Sequence, residues 1–97
     1  MDYLKDFGFT KDDIKYLYDN LAEEDIDELI IHEYRITNIL KYLKSIGINN
    51  LKDVIENRTE LFYISSSIVK RSFTNTNVKD IVKLINEDVS NFDLINL

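Results

Sequence analysis

Apolar residues fall along the chain in short helical stripes, separated by residues that stop or start a helix. Ile14, Leu17, Tyr18 and Leu21 stand at i, i+3, i+4 and i+7, one face of an amphipathic helix over roughly 11–20. Ile26, Leu29 and Ile30 open a second series that continues through Ile36, Ile39, Leu40, Leu43 and Ile46. Its phase slips between Ile31 and Arg35, so the spacing predicts two helices, about 22–31 and 34–46, with a break between them. Leu51, Val54 and Ile55 restart the period. Leu61, Phe62, Ile64, Ile68, Val69 and Phe73 carry it on, interrupted by Ser65-Ser66-Ser67. Serine hydroxyls compete for backbone hydrogen bonds and favour caps, so a short helix, a serine cap and another helix are expected. The polar Thr74-Asn75-Thr76-Asn77 is a loop, and Val78, Ile81, Val82 and Ile85 predict a helix over about 77–88. The chain ends with Val89, Phe92, Leu94, Ile95 and Leu97, a tail that closes the core as a short helix or docks on a neighbouring molecule. Closure is the expectation, because 97 residues leave little other material to cap a core.

One phrase occurs twice: Tyr3-Leu4-Lys5-Asp6-Phe7-Gly8-Phe9 and Tyr42-Leu43-Lys44-Ser45-Ile46-Gly47-Ile48. Gly8 and Gly47 are the only glycines, and each follows an apolar helical run. A helix that stops this way turns into the left-handed region, which glycine enters at little cost, and the apolar residue after it packs back on the last turn. After the first stop, Thr10 and Asp13 have the spacing of a capping box. After the second, Asn49 or Asn50 can cap, and further on Thr59 is placed to cap the stretch beginning Glu60-Leu61. The organisation expected is one all-α domain over 1–97, with an internal repeat at 3–41 and 42–80 and a closing segment at 81–97. About five to six short helices would stack as hairpins into a small array, curved right or left, with no sheet.

Composition narrows the chemistry. The chain has no Cys and one His, so thiolate metal sites, disulfides, histidine pairs and cysteine nucleophiles are ruled out. His32 reads as a partly exposed structural residue near the helix break. The acidic run from Glu23 to Glu28 lacks the alternation and central glycine of a calcium loop and reads as solvated helix surface. Neither glycine has a second nearby, so no phosphate loop is present. An enzyme is not expected, and neither a cofactor nor a small-molecule substrate is evident. The charged first turn and the absence of a long apolar run predict a cytoplasmic protein with no membrane span.

The net charge of −6 is uneven. Residues 1–33 hold eleven acids against three lysines, whereas residues 34–83 hold nine Lys or Arg against four acids. Arg35, Lys41 and Lys44 form one basic group and Lys70, Arg71, Lys79 and Lys83 another, with Tyr34, Tyr42 and Tyr63 interleaved. On one face these residues would suit phosphate contacts and base stacking. The competing reading, which we favour for the tyrosines, is packing at the edges of the core.

Leu4, Phe7, Gly8, Phe9, Thr10, Ile14, Leu17 and Tyr18, followed by Glu28-Leu29-Ile30, resemble the helical repeat of the mitochondrial transcription termination factor family. Leu43, Ile46, Gly47, Ile48, Asn50, Leu51, Val54 and Ile55, followed by Glu60-Leu61-Phe62, repeat the resemblance. It covers about two repeats, with the start of a third at Val78. The resemblance implies paired helices stacked into a curved superhelix whose basic concave face lies along duplex DNA or structured RNA.

Two function classes follow. The acidity, the lack of reactive groups and the shortness of the array favour a non-enzymatic interaction module that binds a protein partner or another copy of itself. Nucleic-acid binding through the basic middle segment is the alternative implied by the resemblance, with Arg35, Lys41, Lys44, Lys70, Arg71, Lys79 and Lys83 as its contacts.

Overall fold

The computed structural model describes residues 1–95, and the expectation for Leu97 lies outside them. Six α-helices are present among these residues: α1 (Lys11–Asn20), α2 (Glu23–Ile31), α3 (Glu33–Ser45), α4 (Leu51–Asn57), α5 (Ser66–Thr74) and α6 (Val78–Glu87). Three short 3₁₀ helices join them, η1 (Asp2–Phe7), η2 (Thr59–Tyr63) and η3 (Val89–Leu94), and no strand occurs among the described residues. The chain is therefore all-α. η1 precedes α1, η2 links α4 to α5 and η3 follows α6; each lies where the sequence predicts a short helix, and runs of five or six residues close i→i+3 bonds more readily than a full α-turn.

Both glycines end their helices as expected. Gly8 has φ +87° and Gly47 φ +103°. Phe9 N–H reaches back to Leu4 C=O and Gly8 N–H to Lys5 C=O, while Ile48 N–H reaches Leu43 C=O and Gly47 N–H reaches Lys44 C=O. These are two Schellman motifs with the same register. Leu4, Phe9, Leu43 and Ile48 are all buried, so each motif carries its hydrophobic contact into one core.

The starts of the helices divide into two groups. Thr10 and Asp13 form a full capping box: Thr10 Oγ1 accepts from Asp13 N–H at 3.1 Å and Asp13 Oδ2 accepts from Thr10 N–H at 2.8 Å. Ser65 accepts from Ile68 N–H and begins α5, as the serine run predicts. Asn77 likewise caps α6. Neither Asn49 nor Asn50 caps α4 by its side chain, because Asn50 donates its amide to Ile85 C=O at 2.9 Å and the carboxamide of Asn49 takes no cap position. Thr59 also fails to cap. It lies within η2, and its hydroxyl donates back to Ile55 C=O at 2.8 Å.

α3 is the hub. It packs against α2, α4, α5, η1 and η2, with Ile36, Ile39, Leu40 and Leu43 fully buried on its inner face. Phe73 on α5 stands edge-on between Tyr42 of α3 and Phe92 of η3, with ring centroids 5.9 and 6.2 Å away. The tail folds back as expected: η3 lies against α6, and Phe92 and Ile95 are buried in the same core. Arg58 fastens it, donating to Glu60 and Asp93 at 2.7 Å each and lying over the Phe92 ring. With a radius of gyration of 12.8 Å, the molecule has the size of a compact globule of this length.

Candidate interaction surface

The break between α2 and α3 is where the chain exposes what helices normally bury. His32 adopts φ −107° and ψ 39° between the helices, which resets their phase. Leu29 on one side of the break and Ile36 on the other both reach the core. Ile31 loses that register. All five residues from Ile30 to Tyr34 are exposed, with Ile30 at 45%, Ile31 at 71% and Tyr34 at 83%. On a helix, Glu23, Asp27, Ile30 and Ile31 share the side opposite Leu29, so α2 turns outward a face that is acidic at its start and aliphatic at its end. Tyr34, exposed as well, stands in the first turn of α3, three residues after Ile31.

This outward shelf is held firmly from beneath. Tyr3 donates its hydroxyl to Leu29 C=O at 2.6 Å, and burial, with Glu33 nearby, pushes the phenol's pKa well above its ordinary value. Arg35 pairs with Glu28 and donates through Nε to Phe62 C=O at 3.1 Å. His32 Nε2 lies 3.8 Å from the same Glu28 carboxylate. Tyr63 donates to Asp25 Oδ1 at 2.6 Å, a hydrogen bond that, with lesser desolvation, pushes its phenol up to about 12. Asp25 and Glu28 are thus occupied within the fold. Glu23, Glu24, Asp27 and Glu33 are exposed and take no ion pair with a described residue.

The basic residues named from the sequence stand on three helices, α3, α5 and α6, with Lys41 and Lys44 three positions apart on one side of α3. Arg35 is turned into the α2–η2 contact by Glu28 and Phe62. Lys70 lies over the Tyr42 ring at 5.9 Å, whereas Lys44 borders an open cavity of about 330 Å³ with Phe7, Gly47, Ile48, Asn49 and Leu51. Tyr42 and Lys44 are two positions apart on α3, about 200° around its axis, so Lys70 and Lys44 flank opposite sides of that helix. Lys41 faces solvent, Arg71 lies about 100° around α5 from Lys70, and Lys79 and Lys83 share an exposed edge of α6. Of the three tyrosines expected at core edges, Tyr42 packs there and Tyr63 is anchored by its hydroxyl. Tyr34 is the exception: it begins the helix on the solvent side, so no core face is available to it.

The shelf residues were legible only as an anomaly. Ile31 is the isoleucine that falls out of phase with both neighbouring stripes, and the slip itself is the signal. Among the described residues, no group of three His, Asp or Glu side chains converges closely enough to hold a metal ion. Among the described residues, no helix is long and apolar enough to cross a membrane. Comparison of the chain with protein-family models, curated proteins and solved structures finds no match.

Proposed function

We propose that the chain is a small non-enzymatic helical module that works by binding another protein. The observation that carries this reading is the run Ile30–Tyr34, which exposes two isoleucines and a tyrosine within five residues across a braced helix junction. Apolar exposure of this kind on a small domain is characteristic of interaction sites. A rigid site also loses little conformational entropy on binding, and tyrosine is among the residues enriched at binding hot spots. Nucleic-acid binding, implied by the resemblance to transcription termination factor repeats, is the weaker reading. Arg35 is already paired, and Lys44 and Lys70 lie on opposite flanks of α3.

Fluorescence anisotropy with duplex DNA and with RNA, at low and moderate salt, tests the choice. The module reading expects no salt-sensitive binding. Binding that is lost when Lys41, Lys44, Lys70 and Arg71 are replaced by Glu would replace it with the nucleic-acid reading.

A further inference from the structure

The outward face of α2 and the start of α3 combine two properties that specify a partner more narrowly than exposure alone. The apolar part consists of Ile30, Ile31 and Tyr34. The charged part is all of one sign: Glu23, Glu24, Asp27 and Glu33 are exposed and unpaired among the described residues. No Lys or Arg occurs between Lys15 and Arg35, and Arg35 is already held by Glu28 and Phe62. The shelf therefore lacks a cationic complement of its own.

We infer that this shelf docks a cationic amphipathic segment of another protein, whose apolar stripe covers Ile30, Ile31 and Tyr34 while its Lys or Arg side chains meet Glu23, Glu24, Asp27 and Glu33. The inference rests on the interaction-module reading and adds the partner's chemistry to it. Charge complementarity selects this occupant. A neutral apolar segment would cover the isoleucines but partly desolvate the acids without pairing them, which costs free energy. A second copy of this chain, docked shelf to shelf about a two-fold axis, would bring the same acids together across the contact, and two chains each carrying −6 repel at long range. A nucleic-acid backbone would meet the same repulsion. A cationic amphipathic helix instead places apolar side chains at i, i+3, i+4 and i+7 with basic residues along the margins, matching an aliphatic patch bordered by acids.

The test uses the purified chain and a fluorescein-labelled Leu/Lys peptide of about five amphipathic helical turns, with matched peptides carrying Gln or Glu in place of Lys. The Lys peptide is expected to bind, and the Glu peptide is not. Ile31→Ser with Tyr34→Ser should weaken the Lys peptide at least about tenfold, as for loss of an apolar anchor. Glu23→Gln, Glu24→Gln and Asp27→Asn together should weaken it about three- to tenfold and flatten its salt dependence. Asp80→Asn with Glu87→Gln, on exposed positions of α6, should change it less than about twofold. All substituted side chains are exposed, so the variants should keep the wild-type circular dichroism spectrum and melting temperature within a few degrees.

Lys-peptide binding that survives the Ile31/Tyr34 variant, or falls equally with the α6 variant, overturns the inference by showing non-specific attraction to an acidic protein. Equal binding of the Gln peptide at the shelf overturns the partner's charge but leaves the interaction module standing. Failure of every peptide to bind overturns the docking inference, and the DNA and RNA measurements above then decide the module reading separately.

Discussion

The two glycine stops share one local structure and differ in what lies over them. At Gly8 a Cβ would meet nothing within 4 Å, and the next helix is started by the chain's own Thr10–Asp13 box. At Gly47 a Cβ would lie 3.4 Å from Val82 Cγ1, and the following loop is fastened by α6. Asn86 Oδ1 accepts from Asn49 N–H at 2.9 Å, Asn86 Nδ2 donates to Gly47 C=O at 2.9 Å, and Asn50 donates to Ile85 C=O. One stop is satisfied by residues three positions away and the other by residues more than thirty away. Identical local signals thus leave the backbone's remaining hydrogen bonds to be found either locally or across the fold.

The comparison breaks most severely if the cover over the second stop is unseated. Phe92, on η3, is buried and packs on Phe73, so Phe92→Ala should cost about 3–5 kcal/mol in denaturant unfolding. In the folded fraction, amide exchange at Asn49 should accelerate while exchange at Thr10 does not. Asn86→Ala removes both bridges from α6 and should cost about 1–2 kcal/mol, and equal loss from Asn20→Ala, which removes only a bond within α1, would contradict the special role of Asn86.

Alanine at either glycine should cost about 1 kcal/mol, because both positions hold a left-handed backbone. Asparagine separates them. It tolerates that backbone, so Gly8→Asn should recover part of the loss, while Gly47→Asn must find room beside Val82 and should not. Equal melting temperatures for the two Asn variants would show that the neighbouring helix is irrelevant.

The smallest effect expected is a pH dependence at the first stop. The Thr10 backbone N–H holds the Asp13 carboxyl below its ordinary range, with help from the Thr10 hydroxyl and Lys52. A depressed folded pKa means that its contribution is present above the unfolded value of 3.8 and is lost as pH falls through the folded value. Asp13→Asn should therefore lower the melting temperature at pH 6 and converge toward wild type in strong acid. Asp88, lowered by the Ser90 N–H, keeps a similar acid sensitivity in both proteins. A constant gap between the two curves from pH 6 to pH 2 would remove Asp13 as a titrating cap.

The local half of this structure could be read from residue types at fixed short spacings. The Schellman stops, the Thr10–Asp13 box, the Ser65 cap and the break at His32 are formed by bonds spanning three to five residues or by a slip in apolar phase. The misreadings at Asn50 and Thr59 have one cause. Both are good capping residue types, but each found a carbonyl elsewhere, one on α6 and one in the preceding turn of α4. A capping propensity specifies that a polar side chain will bond to nearby backbone, not which carbonyl tertiary contacts will offer it.

The candidate surface lies on the other side of that divide. The sequence by itself determined an all-α chain, the positions of its stops and the acidity of its first third, because periodicity, glycine and charge act through neighbours along the chain. Only the tertiary structure decided that Arg35 would be consumed by Glu28 and Phe62, that α6 would cover Gly47, and that Ile31 and Tyr34 would have nothing over them. Burial depends on which element comes to lie alongside, and an apolar residue out of phase with its helix reaches solvent or core according to that partner alone.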